Sequence, residues 1–176
     1  MAESDAAPVI FLDVDGVCHP LAPTGHALLA DMKALTQRAD EELDLPDDAE
    51  ASVVPGEFTD DCMEALSRCV QQLGSVRLVL SSTWRETAPQ RRAVNRQLRL
   101  HAIQEVVDCT SMLPLRRGGR AAEILAWMEQ SSPRPAKWVA IDDQELVLPD
   151  GHFVRTEAAK GFTEQDALRV CKLLQG

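Results

Sequence analysis

Val9-Ile10-Phe11-Leu12-Asp13-Val14-Asp15-Gly16 is the stretch that decides the fold of this 176-residue chain. The four apolar residues that follow Pro8 are β-branched, aromatic or aliphatic, so they predict a strand buried on both faces, as in a parallel α/β sheet. Asp13 and Asp15 would point the same way in an extended chain, beyond the end of the strand where such sheets bind ligands. Two carboxylates there need a cation or a shared proton, and a hard divalent metal is the simplest solution. The alternative is a strand that ends in a turn capped by its own carboxylates.

Two later apolar runs also end in polar residues. Residues 76–80 lead into Ser81-Ser82-Thr83-Trp84-Arg85, and residues 137–141 lead into Asp142-Asp143. Between them, Gly118-Gly119-Arg120 opens an amphipathic helix. Three strands therefore end in side chains that can hold a phosphoryl oxygen or a metal, which makes a merely capped turn at Asp13 a weaker explanation.

The hydrophobic periodicity alternates between strands and helices along the chain. This order predicts βαβ crossovers and a mainly parallel sheet flanked by helices, and the length is that of one domain, residues 1–176. The expected strands are 9–14, 76–80, 105–108, 138–142 and 152–155, and the expected helices are 59–73, 87–101, 120–130 and 163–174.

Charge and cysteine content limit the classes of function. A net charge of −10 argues against broad adhesion to nucleic acid or anionic membrane. No apolar stretch approaches the roughly 20 residues of a membrane span, and the first residues are acidic, so we expect a cytoplasmic protein. The five cysteines are odd in number and form no C-x-x-C pair, so we expect reduced thiols.

The segment from Arg85 to Arg120 is basic, with eight arginines against three acidic residues, a local charge of +5. The spacing of Arg92, Arg96 and Arg99 favours a solvated helix face. The alternative is that part of this basic segment borders the catalytic edge of the sheet and binds a polyanion there.

Taken in order, these motifs resemble the four motifs of the haloacid dehalogenase (HAD) superfamily of aspartate-nucleophile phosphohydrolases. The resemblance spans Val9 to Asp143. Its finer pattern, with Ser-Ser-Thr-Trp-Arg, Arg-x-x-Glu-Ile before Trp127 and a late Asp-Asp pair, is similar to a small HAD branch found in or beside RNA-repair proteins. The resemblance implies an α/β fold with a single Rossmann-like core.

The resemblance also implies roles for the acidic residues. Asp13 would attack phosphorus, and Asp15 would protonate the leaving group and then deprotonate water. Mg²⁺ would be held by Asp13, by the backbone carbonyl of Asp15 and by Asp142 or Asp143, with Asp143 expected to approach it more directly.

Phosphate binding would fall to Gly16 and to the segment after the second strand. Gly16 would let the backbone turn beneath the phosphate, Ser81 would donate a hydrogen bond to it, and Ser82, Thr83 and Arg85 would lie nearby. Arg120 fits the basic third motif, where lysine is commoner. Its rivals are Arg85, Lys160, which could reach the site, and Lys137, which should lie at the opposite end of its strand.

Members of the superfamily place a substrate-selecting cap after the first motif. Residues 18–57 are too few for a full cap domain, so we expect a small flap. The implied activity is that of a Mg²⁺-dependent phosphomonoesterase acting on a small molecule, a nucleic-acid end or another bulky phosphoester, with no membrane and no stable protein partner. The alternative is a non-catalytic module that binds phosphate or nucleic acid, although a binder has no need of Asp15 as an acid.

Overall fold

The computed structural model describes residues 7–21, 58–113 and 118–176. These residues form five strands, four α-helices and one 3₁₀ turn at Thr83–Arg85. The strands are β1 (Val9–Leu12), β2 (Arg77–Leu80), β3 (Asp108–Cys109), β4 (Trp138–Asp142) and β5 (Phe153–Arg155), and the helices are α1 (Asp60–Leu73), α2 (Ala88–Leu100), α3 (Gly119–Gln130) and α4 (Glu164–Gln175).

All five strands are parallel, in the order β3-β2-β1-β4-β5. The predicted α/β class and mainly parallel sheet are confirmed. β1 lies in the centre, where Leu12 is level with Leu80 of β2 and with Ile141 of β4. The carboxyl ends of these three strands therefore meet at one edge of the sheet.

Helices cover both faces of the sheet, and this explains why all four residues of β1 are fully buried. Ile10 and Leu12 belong to a core shared with α1, α2 and α4. Val9 and Phe11 face the other way, into a smaller core that includes Ile124 and Met128 of α3. A strand buried on both faces reads as a continuous apolar run, as the sequence showed.

Two strand boundaries differ from the prediction by more than one residue. The first strand ends at Leu12 rather than at residue 14, and the third lies at Asp108–Cys109 rather than at 105–108. The third strand begins late because the backbone N–H of Val106 donates to the Asn95 side chain at 3.0 Å, whereas that of Val107 donates to Leu78 of β2. A side chain of α2 thus takes the place of a strand partner.

Of the predicted flap at 18–57, residues 22–57 lie outside the described part of the chain, as do Arg116 and Arg117. The flap therefore stays a prediction. All five cysteines are free. None of the helices within residues 7–21, 58–113 and 118–176 has the length and apolar character needed to cross a membrane.

Candidate active site

The carboxyl ends of β1, β2 and β4 bring Asp13, Ser81 and Asp142 together. The backbone N–H of Asp13 donates to Ile141 at 3.1 Å, and that of Ser81 donates to Leu12 at 3.0 Å. Asp13, Ser81 and Asp142 are almost fully buried. Three of the motifs thus meet at the edge where parallel sheets bind ligands.

Arg120 lies at the start of α3 and contacts the two buried carboxylates. Its Nη1 atom is 2.8 Å from Oδ1 of Asp13 and 2.5 Å from Oδ2 of Asp142. Because the two carboxylates repel one another, a guanidinium in contact with both offsets part of that repulsion.

The three rivals of Arg120 are placed differently. Lys160 is exposed and pairs with Glu157 at 2.6 Å, and Lys137 is exposed at the amino end of β4, where its carbonyl accepts from Val9. The guanidinium of Arg85 is buried against other protein groups, described below. Of the four candidates, Arg120 is the residue that contacts Asp13.

Oxygens of Asp13, Asp142 and Asp143 all lie within 4.8 Å of one another, the arrangement of a possible metal site within the described ranges. Oδ1 of Asp13 is buried and accepts no well-aligned hydrogen bond, although Nη1 of Arg120 lies 2.8 Å from it. Burial, together with repulsion by Asp142, raises the pKa of Asp13 from 3.8 to about 7, against the opposing effects of Arg120 and a hydrogen bond from Ser82. Burial and Asp142 likewise raise the pKa of Asp143.

This cluster holds more negative charge than one arginine balances. Clustered carboxylate oxygens are the ligands that a hard divalent cation prefers, and the buried Oδ1 of Asp13 has no well-aligned hydrogen bond beside its ion pair with Arg120. The residues present therefore fit a Mg²⁺ ion.

Asp15 is more open than Asp13, with about 32% of its side chain exposed. The indole Nε1–H of Trp84 donates to both carboxylate oxygens, at 3.3 and 3.2 Å. Nε2 of His19 lies 3.1 Å from Oδ1 of the same carboxylate. Asp15 is thus partly open to solvent while two buried side chains contact its carboxylate.

The Ser81–Arg85 segment connects the two aspartates. The hydroxyl of Ser82 hydrogen-bonds Asp13 and also accepts the backbone N–H of Trp84 at 3.4 Å. Thr83 is exposed and begins the 3₁₀ turn, which carries Trp84 to Asp15.

Arg85 pins this turn. Its Nη1 donates to the carbonyls of Ser81 and Ser82, and its Nη2 donates to the buried Glu123 of α3. The structure thus gives Arg85 protein partners, and its predicted contact with phosphate stays a prediction.

Gly16 makes the turn after the two aspartates with φ +72°, a conformation that side chains disfavour. A Cβ there would lie 2.8 Å from Cβ and Cγ of Asp143, so this glycine also makes room for the fourth motif. The hydroxyl of Thr156, just after β5, donates to the Gly16 carbonyl at 2.7 Å and fixes the turn.

Comparison with protein families decides the classification. The family model described as "HAD domain in Swiss Army Knife RNA repair proteins" matches residues 9–167, which is most of the chain. The chain belongs to this family. Its four motifs lie in the matched region, and HAD domains are generally hydrolases, among them phosphatases, that use Mg²⁺. No curated protein and no solved structure gives a match.

Sequence reasoning did not predict the contacts that four side chains of this HAD domain make around the site. They are His19, Trp84, Glu123 and Thr156, of which Trp84 and Glu123 belong to the quoted motif pattern without a contact assigned to either. Trp84, with 5% of its surface exposed, is a core residue whose indole N–H reaches Asp15. The signal that could have found it is the indole itself, since a buried Trp N–H usually has a partner.

Proposed function

We propose that this HAD domain is a Mg²⁺-dependent phosphomonoesterase that acts through an aspartyl-phosphate on the phosphorylated end of a nucleic acid. The observation that carries the proposal is the placement of Asp13 at the strand end, where its buried Oδ1 lies 2.8 Å from Arg120 without a well-aligned hydrogen bond and Asp15 follows two residues later. A nucleophilic carboxylate needs an oxygen not tied up by strong hydrogen bonds, a counter-charge and a nearby acid.

In the first step an oxygen of Asp13 forms a bond to phosphorus as the bond from phosphorus to the leaving oxygen breaks. Asp15 gives its proton to the leaving oxygen, which would otherwise depart as a basic alkoxide. In the second step a water oxygen attacks the phosphorus, the bond from phosphorus to Asp13 breaks, and Asp15 takes the proton of the water.

The chain supplies positive charge and hydrogen bonds for the transferring group. Arg120 stays beside Asp13 and can pair with phosphoryl oxygens, and Ser81, Ser82 and the backbone N–H of Thr83 are proposed to bind the others. Mg²⁺ would be held by the side chains of Asp13, Asp142 and Asp143 and by the backbone carbonyl of Asp15. When bound, it would neutralise charge on the phosphoryl group. Asp142 already accepts hydrogen bonds from Arg120 and from the backbone of Gln144, so Asp143 is the freer ligand.

Two observations support a nucleic-acid end as substrate. The family description places such domains in RNA-repair proteins. In addition, Arg91, Arg92 and Asn95 of α2 line a groove of about 440 Å³ against β3, and Arg91 donates to the carbonyl of Arg85. The groove is therefore linked through Arg91 to Arg85, the last residue of the 3₁₀ turn, and we propose that neighbouring phosphates of a polynucleotide bind there.

The test is phosphate release in the presence of Mg²⁺ from 3′- and 5′-phosphorylated oligonucleotides and from an activated aryl phosphate. Asp13→Asn should lose at least about a thousandfold of the activity, because the amide is nearly isosteric but cannot attack phosphorus. Asp150→Asn, a change of the same chemistry at an exposed turn, should leave the activity unchanged.

Two results would contradict the proposal. One is activity of a folded Asp13→Asn protein within about tenfold of the parent. The other is tight binding of phosphorylated oligonucleotides with no phosphate released from any of the esters, which is the result expected of a non-catalytic binding module.

A further inference from the structure

Asp15 is held by two side chains that come from separate parts of the chain. Trp84 reaches it from the 3₁₀ turn after β2, and His19 reaches it from the loop after β1. Both side chains are buried, with 5% and 3% of their surface exposed, whereas Asp15 keeps a third of its side chain open. The carboxylate therefore combines contacts to two buried side chains with a surface that solvent reaches.

Both partners are themselves immobilised. The turn that carries Trp84 is tied to Arg85 and, through it, to Glu123 of α3. The rings of Phe58 and Trp84 meet edge to face with centroids 5.5 Å apart, and Nδ1 of His19 lies 3.3 Å from the carbonyl of Pro20. A carboxylate held by such partners loses little further freedom when it acts.

The chemistry of the partners limits what they can do. An indole N–H donates and neither accepts nor releases a proton in ordinary chemistry, so Trp84 can orient Asp15 but cannot replace it. A general acid must lie within hydrogen-bond distance of the atom that it protonates, and a displacement of about 1 Å can cost about a hundredfold in rate. The contacts of Trp84 and His19 are therefore suited to orienting Asp15 as a general acid.

We propose that Trp84 and His19 are positioning residues that fix the Asp15 carboxylate toward the leaving oxygen. This inference rests on the proposed function. It gives the tryptophan of the Ser-Ser-Thr-Trp-Arg segment a role that the motif comparison does not supply. It also gives a reason for the fixed turn in this segment, because Ser82 hydrogen-bonds Asp13 while Trp84 hydrogen-bonds Asp15.

The test uses Trp84→Phe, which keeps an aromatic ring and removes the N–H. Its matched control is Trp127→Phe, because Trp127 donates its own indole N–H to Asp108 at 2.8 Å, away from Asp15. Each protein is assayed with an alkyl phosphate, whose leaving group needs a proton, and with an activated aryl phosphate, whose leaving group does not.

Trp84→Phe should lower kcat for the alkyl ester by about 10- to 100-fold while the aryl ester changes by less than about threefold and KM moves little. His19→Gln should show the same selectivity, and Trp127→Phe should show none. In an Asp15→Asn background, Trp84→Phe should cause no further selective loss, because both changes then act on the same group.

The outcomes separate the two proposals. If Asp15→Asn is selective for the alkyl ester but Trp84→Phe and His19→Gln lower both esters equally, the positioning inference is overturned while the proposed function stands. If the parent protein releases phosphate from neither ester and from no phosphorylated oligonucleotide, the proposed function fails and the inference with it. Should Trp84→Phe fail to fold, the His19→Gln result decides.

Discussion

Asp13→Asn should stabilise the metal-free protein, and the gain should grow with pH. The pKa of Asp13 is raised by burial and by Asp142 from 3.8 in the unfolded chain to about 7 in the folded protein. The folded state therefore holds this proton more tightly than the unfolded state does. The stability that the tighter proton binding of Asp13 contributes is greatest below about pH 4. It falls as the pH rises toward 7 and is lost above that.

The size of the effect follows from the two pKa values. At about 1.4 kcal/mol per pKa unit, the rise from 3.8 to about 7 costs the parent protein about 4 kcal/mol of unfolding free energy at alkaline pH. At about pH 5.5 only about half of this cost has appeared, since the folded carboxyl is still protonated. Asparagine cannot ionise, so the advantage of Asp13→Asn over the parent should increase by about 2 kcal/mol between about pH 5.5 and about pH 8.5.

The assay is urea unfolding of both proteins at the two pH values with EDTA present and with Asp150→Asn as the exposed control. Adding Mg²⁺ at the higher pH should stabilise the parent more than the variant, because a cation replaces the missing positive charge. An advantage of Asp13→Asn that stays constant or shrinks as the pH rises would refute the argument that the cluster carries uncompensated charge.

Three further changes test other parts of the site. Gly16→Ala should cost about 2 kcal/mol or more in urea unfolding and should weaken Mg²⁺ binding, because its Cβ would lie 2.8 Å from the Asp143 side chain at a φ of +72°. Glu123→Gln should cost about 3–5 kcal/mol by leaving the buried Arg85 unpaired, whereas Glu105→Gln, which breaks the exposed pair with Arg99, should cost less than about 1 kcal/mol; similar losses would contradict the role given to Arg85. Replacing the four arginines of α2 with glutamine should raise KM for a phosphorylated oligonucleotide, leave KM for a small ester unchanged and weaken the salt dependence of oligonucleotide hydrolysis. If both substrates are affected equally, these arginines form only a solvated helix face. They are Arg91, Arg92, Arg96 and Arg99.

Much of the fold was predictable because its strands are short apolar runs bounded by turns. The run at Val9–Leu12 is buried on both faces, and this burial is what its unbroken hydrophobicity records. The predicted start of the edge strand β3 was wrong because it depends on a contact between Asn95 and Val106, which no local pattern reveals. A two-residue strand is determined by its neighbours more than by its own residues.

The candidate site was predictable where position along a strand determines it. Asp13 and Asp142 end neighbouring parallel strands, so their meeting follows from the topology. The partners of Asp15 did not follow, because Trp84 is 69 residues away and its approach depends on how a turn packs. Nor does a basic residue in a sequence show whether it faces a ligand, as Arg120 does, or a buried glutamate, as Arg85 does.

Chemical identification of the phosphorylated residue tests the central claim most directly. The protein is mixed with Mg²⁺ and an activated aryl phosphate, quenched in acid during turnover, and digested for peptide mass spectrometry. The account predicts one phosphoryl group on Asp13 and none in Asp13→Asn. Turnover without a phosphoryl group on the protein, or with the group on another residue such as Ser81, would contradict it.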